Sequence, residues 1–187
     1  MSFLSKIKSK TASKMCRLIL SMTLLMASSM VMADDPSLED LPAELRATSN
    51  LHQPTPQHFT AGQPTPDQLA AFADYGVVHV IDLRPPEEGE ARNNAADVTR
   101  AGMAYYHIPI AGSADLTREH VEVLDAILER VGDDAVLMHC ASSNRVGALM
   151  ALRAAWLEND DTEAAIAKGK AYGLTSLESS VRAALQP

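Results

Sequence analysis

The stretch VLMHCASSNRVGALM, residues 136–150, decides how this chain is read. It starts as an apolar run, passes a histidine and a cysteine, and crosses small polar residues. Apolar residues then return at helical spacing: Val146, Leu149, Met150 and Leu152. The pattern predicts a buried strand, a tight loop and a helix. In open α/β sheets ligands sit beyond the carboxyl ends of strands, and Cys140 stands at such an end.

The loop has the composition of an anion cup. Ala141, Ser142, Ser143 and Asn144 are small enough for the backbone to curl with successive N–H groups turned inward, just ahead of a helix N-terminus. Arg145 adds a planar fork of donors suited to two oxygens of a tetrahedral anion. The same positive field favours the thiolate of Cys140. A nucleophilic sulfur on the floor of such a cup can displace the alcohol of a phosphate ester, leaving a phosphocysteine that water clears. His139 is read as ordering the loop through hydrogen bonds rather than as a base. The plain alternative for Cys140 is a buried thiol acting as a small hydrophobe.

The leaving group needs a proton, and a carboxylic acid on a neighbouring loop would supply it. Asp115 is the first choice. It also lies near a helix start, where carboxylates serve as caps. Asp82, inside IDLR at a strand end, is the second choice; Glu87 and Glu88 rank behind it. Arg84 either ties down the adjacent loop, lines the pocket or makes a surface ion pair.

Outward from this loop, strands and helices alternate. HFTAGQPTPDQLAAFADYG reads as strand, turn and helix, with Thr65 as N-cap and Pro66 as first helical residue. Val77–Arg84 is a β-branched run bounded by Gly76 and Pro85, and Met103–Ile110 reads as the next strand. Leu116–Val131 is an amphipathic helix capped by Thr117. Helical patterns cover 145–158, 162–172 and 176–185. The expected fold is α/β: a three-layer architecture with a central, mostly parallel sheet and helices on both faces.

The first residues are read apart from the fold. Lys6, Lys8, Lys10, Lys14 and Arg17 precede an apolar run, Leu18–Met32, too short to span a bilayer comfortably, and Val31-Met32-Ala33 suits a signal peptidase. Residues 1–33 are therefore expected to be a signal peptide cleaved after Ala33, giving a periplasmic or secreted protein; an uncleaved anchor is the competing reading. Residues 34–54 are read as a polar leader and 55–187 as the domain. Beyond Ala33, 11 basic residues face 24 acidic ones, a net charge of −13. That argues against nucleic acid and against anionic membrane surfaces as partners. Cys140 is then the sole cysteine, which excludes an internal disulfide and a cysteine-based metal site. The six histidines, at 52, 58, 79, 107, 120 and 139, show no ligand spacing. No metal and no cofactor is expected.

Four segments in order carry a family resemblance: Ala61-Gly62-Gln63-Pro64, Val80-Ile81-Asp82-Leu83-Arg84, Tyr105-Tyr106-His107-Ile108-Pro109, and His139-Cys140 through Arg145-Val146-Gly147. Over roughly residues 55–185 the chain resembles the phosphatase-like domain of beta-lactamase hydrolase-like proteins. These form a bacterial branch of the cysteine-dependent tyrosine and dual-specificity phosphatase superfamily. The resemblance implies a compact phosphatase fold, Cys140 as nucleophile, Arg145 as phosphate clamp, and a phosphorylated small molecule or protein as partner. Three features depart from ordinary phosphatases: four residues rather than five between cysteine and arginine, a spacing the bacterial branch shares; Ser143 where a glycine is usual; and Val146 where a hydroxyl usually helps the sulfur leave. The short loop also suits a rhodanese-like sulfurtransferase, although such domains return to a strand soon after it. A non-catalytic anion-binding module is the third reading, against which stands a thiol that binding alone does not need.

Overall fold

The computed structural model describes residues 38–88 and 94–186. The signal-peptide reading of residues 1–33 lies outside the described residues. Four strands form one sheet: β1 (His58–Ala61), β2 (His79–Asp82), β3 (Ala104–His107) and β4 (Val136–His139). Their order is β1-β4-β2-β3, and every pairing is parallel. The helices are α1 (Ala43–Arg46), α2 (Pro66–Asp74), α3 (Asn94–Arg100), α4 (Arg118–Val131), α5 (Asn144–Leu157), α6 (Thr162–Ala171) and α7 (Glu178–Ala184).

The pleat of the strands builds the three layers. Successive side chains of a strand point to opposite faces. Val136 and Met138 of β4 and Ile81 of β2 join Leu124 and Leu149 in one core cluster. Leu137 of β4 and Val80 of β2 join Phe59, Phe72 and Leu69 in the other. α4 and α5 thus contribute to the first face, and α1, α2 and α3 to the second. A sheet covered on both sides explains why β4 is buried at all four positions, and why its first three residues, Val136 to Met138, are an unbroken apolar run rather than an alternation.

Local chemistry sets the helix ends. Thr65 Oγ1 accepts from the Gln68 N–H while the Gln68 side chain accepts from the Thr65 N–H, a capping box followed by Pro66. Thr117 caps α4 by accepting from the His120 N–H. α5 and α6 cross in close contact because both carry glycine there: a Cβ on Gly147 would lie 2.1 Å from the Leu174 nitrogen and 2.6 Å from the Gly169 oxygen.

The polar stretch before β1 belongs to the domain. Leu41 and Leu45 are buried with Phe59 and Phe72. His52 and Thr60 exchange backbone hydrogen bonds of 2.8 and 2.9 Å. Within the stretch read as a polar leader, Leu41 and Leu45, four positions apart, are thus core residues.

Candidate active site

β4 enters the sheet between β1 and β2, although β1 and β2 are the strands adjacent in sequence order. The β1–β2 connection runs through α2 on one face, and the β3–β4 connection through α4 on the other. At such a reversal open α/β sheets place their ligands, here beyond the carboxyl end of β4. Cys140 follows directly, fully buried, with its N–H on the Ala61 carbonyl at 3.3 Å. The loop then turns away and α5 begins at Asn144. Ser142 donates its backbone N–H toward Cys140 Sγ at 3.5 Å, so this loop N–H does face inward. Ala141 and Ser142 are exposed.

Ser143 occupies the left-handed region, with φ +62°. Glycine would adopt this conformation without strain; serine pays about 1 kcal/mol. Its hydroxyl donates to the Asn50 carbonyl at 2.8 Å, which offsets that cost and ties the loop to the segment before β1. Asn144 does not turn its side chain into the cup. Its Nδ2 donates to Ser176 Oγ at 2.7 Å, and its Oδ1 accepts from the backbone N–H groups of Thr175 and Leu177. The Asn144 side chain thus joins α5 to the turn before α7.

Arg145 is held on two sides. Glu88 grips it bidentately, with Nη1 to Oε1 at 3.0 Å and Nη2 to Oε2 at 2.7 Å. Nη1 also donates to the Ile110 carbonyl at 2.7 Å. A guanidinium has five N–H donors. These contacts use three, leaving Nε–H and the second Nη2–H, which share one edge. Burial works against the charge of Arg145, but Glu88 and the neighbouring Cys140 sulfur outweigh it and raise its pKa. Glu88, ranked behind the two aspartates in the sequence, is thus a direct partner of the site's arginine.

The loop carrying Asp115 is fastened to the same arginine. Past Ile110, Asp115 Oδ2 accepts from the N–H groups of Ala111 at 2.7 Å and Gly112 at 3.3 Å. Its carboxylate closes a single 3₁₀ turn, Ser113–Asp115, and is half-exposed. The capping role foreseen for it is realised within this loop rather than on α4.

Asp82 is a buried hub. Strand register sets it level with His139 on one side and His107 on the other. Its carboxylate accepts from the Arg84 N–H at 2.9 Å, Arg84 Nε at 3.2 Å, Arg84 Nη2 at 3.1 Å, Asn94 Nδ2 at 2.8 Å and Tyr105 Oη at 3.1 Å. Burial alone would raise its pKa, but the donors and His139 prevail and lower it. A carboxylate saturated with donors holds its charge and is a poor proton donor. This environment corrects the second-choice assignment of Asp82 as general acid.

His139 is fully buried, with Nε2 3.3 Å from Asn94 Nδ2 and Nδ1 3.7 Å from Asp82 Oδ1. An amide nitrogen is a donor, so Nε2 accepts and Nδ1 carries the proton. Burial pushes its pKa down to about 4 despite Asp82. A neutral imidazole leaves the positive charge of the cup to Arg145 and the loop N–H groups. Asn94 and Gln63, joined at 2.8 Å, complete this network. Neither was read from the sequence as part of the site, because their meeting depends on α3 packing against α2 and β3, and no local pattern encodes it.

The motif of the phosphatase-like domain of beta-lactamase hydrolase-like proteins matches residues 50–156. The Beta-lactamase hydrolase-like protein of Xylella fastidiosa strain Temecula1 is 33% identical over 96 residues, which are 49% of this chain and 22% of that protein. The chain thus matches about a fifth of the length of such relatives. Among solved structures, a DUF442 protein from Shewanella putrefaciens CN-32, named as a candidate phosphatase, is 25% identical with a TM-score of 0.58, covering 77% of this chain and 98% of that one. TpbA of P. aeruginosa, in a cysteine-to-serine form with pTyr, shares the fold at 18% identity and a TM-score of 0.53, covering 72% and 81%. With more than half of its residues matched by that motif, on a parallel sheet that ends in the cysteine loop, the chain belongs to the family of beta-lactamase hydrolase-like protein, phosphatase-like domains.

Proposed function

We propose that this chain is an exported, cysteine-dependent phosphomonoester hydrolase that works through a phosphocysteine. The observation that carries the reading is the posture of Arg145. Glu88 and Ile110 occupy one edge and one corner of the guanidinium, which leaves its Nε/Nη2 edge, and the Cys140 sulfur is an electrostatic neighbour of the same side chain. That edge suits two oxygens of a phosphoryl group poised over the sulfur. Cys140 Sγ attacks phosphorus as the P–O bond to the alcohol breaks, and Asp115 gives the leaving oxygen its proton. Water then attacks phosphorus, the S–P bond breaks, and Asp115 takes the water's proton back, releasing phosphate and the thiolate. Charge on the equatorial oxygens is met by Arg145 and the loop N–H groups. Export rests on the basic, then apolar, N-terminal sequence and its small-residue cleavage site. A phosphorylated protein or small molecule is the partner class.

The sulfurtransferase reading has less support. Among the described residues only helices and turns follow β4, whereas that reading expects a return to a strand. The test is p-nitrophenyl phosphate hydrolysis by reduced protein across pH 4.5 to 8, beside Cys140→Ser, with sulfur transfer from thiosulfate to cyanide run in parallel. Hydrolysis that disappears in the variant is the expected result. Sulfur transfer without hydrolysis moves the protein to the rhodanese class, and loss of both with the thiol reduced leaves the anion-binding module.

A further inference from the structure

Arg84 spans the two ends of the site. It is buried, at 6% exposure, and its contacts reach three elements. Its guanidinium takes the Asp82 carboxylate at the end of β2 through Nε and Nη2. Its Nη1 donates to the main-chain carbonyl of Glu88 at 3.2 Å, and its own carbonyl accepts from His107 Nε2 at 2.7 Å. Glu88 ends a three-residue 3₁₀ turn, Pro86–Glu88, none of whose residues is buried. Such a turn has little packing of its own to fix its direction. Among the described residues Arg84 ties this turn to the end of β2 through the Glu88 carbonyl, and the Glu88 side chain grips Arg145.

We infer that Arg84 is a positioning residue for phosphate binding: by holding the Glu88 main chain to Asp82, it aims the Glu88 carboxylate so that the Nε/Nη2 edge of Arg145 faces the anion. The inference rests on the phosphatase reading for its consequence in turnover, but not for its consequence in anion binding. A buried Arg–Asp pair retained only for stability could be exchanged for apolar groups at little cost. This pair does more than close on itself, because one of its nitrogens is spent on the turn. An Arg84→Lys change keeps the charge beside Asp82 but lacks the fork that reaches both Asp82 and the Glu88 carbonyl.

The test is a double-mutant cycle read by inorganic phosphate binding, measured calorimetrically, and by p-nitrophenyl phosphate turnover. Arg84→Lys and Glu88→Gln are each expected to weaken phosphate binding about tenfold, and the double variant by about tenfold rather than a hundredfold, because both act through one contact. An Asp82→Asn, Arg84→Met pair removes the tether without stranding a buried charge. It is expected to show the same loss, which covers the case in which Arg84→Lys alone does not fold. Multiplying losses in the cycle, or full phosphate affinity in the Asp82→Asn, Arg84→Met protein, would overturn the inference while leaving the phosphatase reading in place. Phosphate binding with the expected coupling but without turnover would uphold the inference and sink the phosphatase reading. A parent protein that neither binds phosphate nor hydrolyses the ester sinks both.

Discussion

Acid should unfold this protein through His139. In the unfolded chain its imidazole titrates near 6.5, while burial in the fold pushes it down to about 4. Between those values the unfolded chain binds a proton that the folded chain does not, so stability rises with pH across that window. The contribution is complete above about pH 6.5 and drains as pH falls toward 4. Each pH unit of difference is worth about 1.4 kcal/mol, so the loss reaches about 2 kcal/mol at pH 5 and about 3 kcal/mol at pH 4. That is a large part of the 5–15 kcal/mol typical of a domain. Burial also lowers His52 and His58, which add to the same slope. A His139→Asn variant separates the contributions, since only the difference between parent and variant belongs to His139. Urea unfolding followed by circular dichroism at pH 8, 7, 6, 5 and 4 gives both curves. The parent's advantage over the variant, whatever its size at pH 8, should shrink by about 3 kcal/mol at pH 4. An advantage that stays constant across the series would refute the picture of a neutral, proton-refusing His139 beneath the loop.

Three further outcomes follow from the site and its frame. Ser143→Gly trades relief of the left-handed strain against the lost bond to Asn50, so its stability should stay within about 1 kcal/mol of the parent, while Ser143→Ala keeps the strain, strands the Asn50 carbonyl and should lose about 1–2 kcal/mol in thermal or chemical melts. Val146 is fully buried and carries no hydroxyl, so on the proposed phosphocysteine route stopped-flow hydrolysis should show a burst of p-nitrophenol before a slower steady rate; Val146→Thr should raise the steady rate several-fold, through a hydrogen bond worth about 1 kcal/mol of barrier, and a rate no higher than the parent's would count against a slow second step. Gly147→Ala drives a methyl into the backbone of Leu174 and Gly169 and should cost about 3 kcal/mol or prevent folding, read as a drop in melting temperature or in soluble yield.

The frame was legible where local physics dominates. Unbroken apolar runs such as VLM, and the Thr-Pro and Thr-x-x-His helix starts, encode strands and caps within a few residues, and the structure places them there. The cysteine loop was legible for the same reason, since strand, small residues and arginine are contiguous. What escaped depends on contacts between distant segments. Whether Asp82 gives up a proton or anchors a network is decided by Asn94, Tyr105 and His139, which reach it from other elements. The Asn144 side chain had no role legible in the sequence, because residues 175–177 fold back from far along the chain to claim its amide. Glu88 was one carboxylate among several in a polar stretch, and only its meeting with Arg145 sets it apart.

The segment ahead of β1 has a double duty with a bearing on how such a domain can be cut and joined. β1 is an outer strand, and the antiparallel bridge from His52 to Thr60 covers it. An uncovered outer strand invites pairing with other chains. Two residues earlier, Asn50 steadies Ser143 in the cysteine loop. Guarding the sheet and bracing the cysteine loop are thus done by one short piece of backbone. Trimming the protein back to β1 would make it both stickier and slacker at its centre, and a fusion joint is best placed upstream of Leu41, the first of the described residues to enter the core.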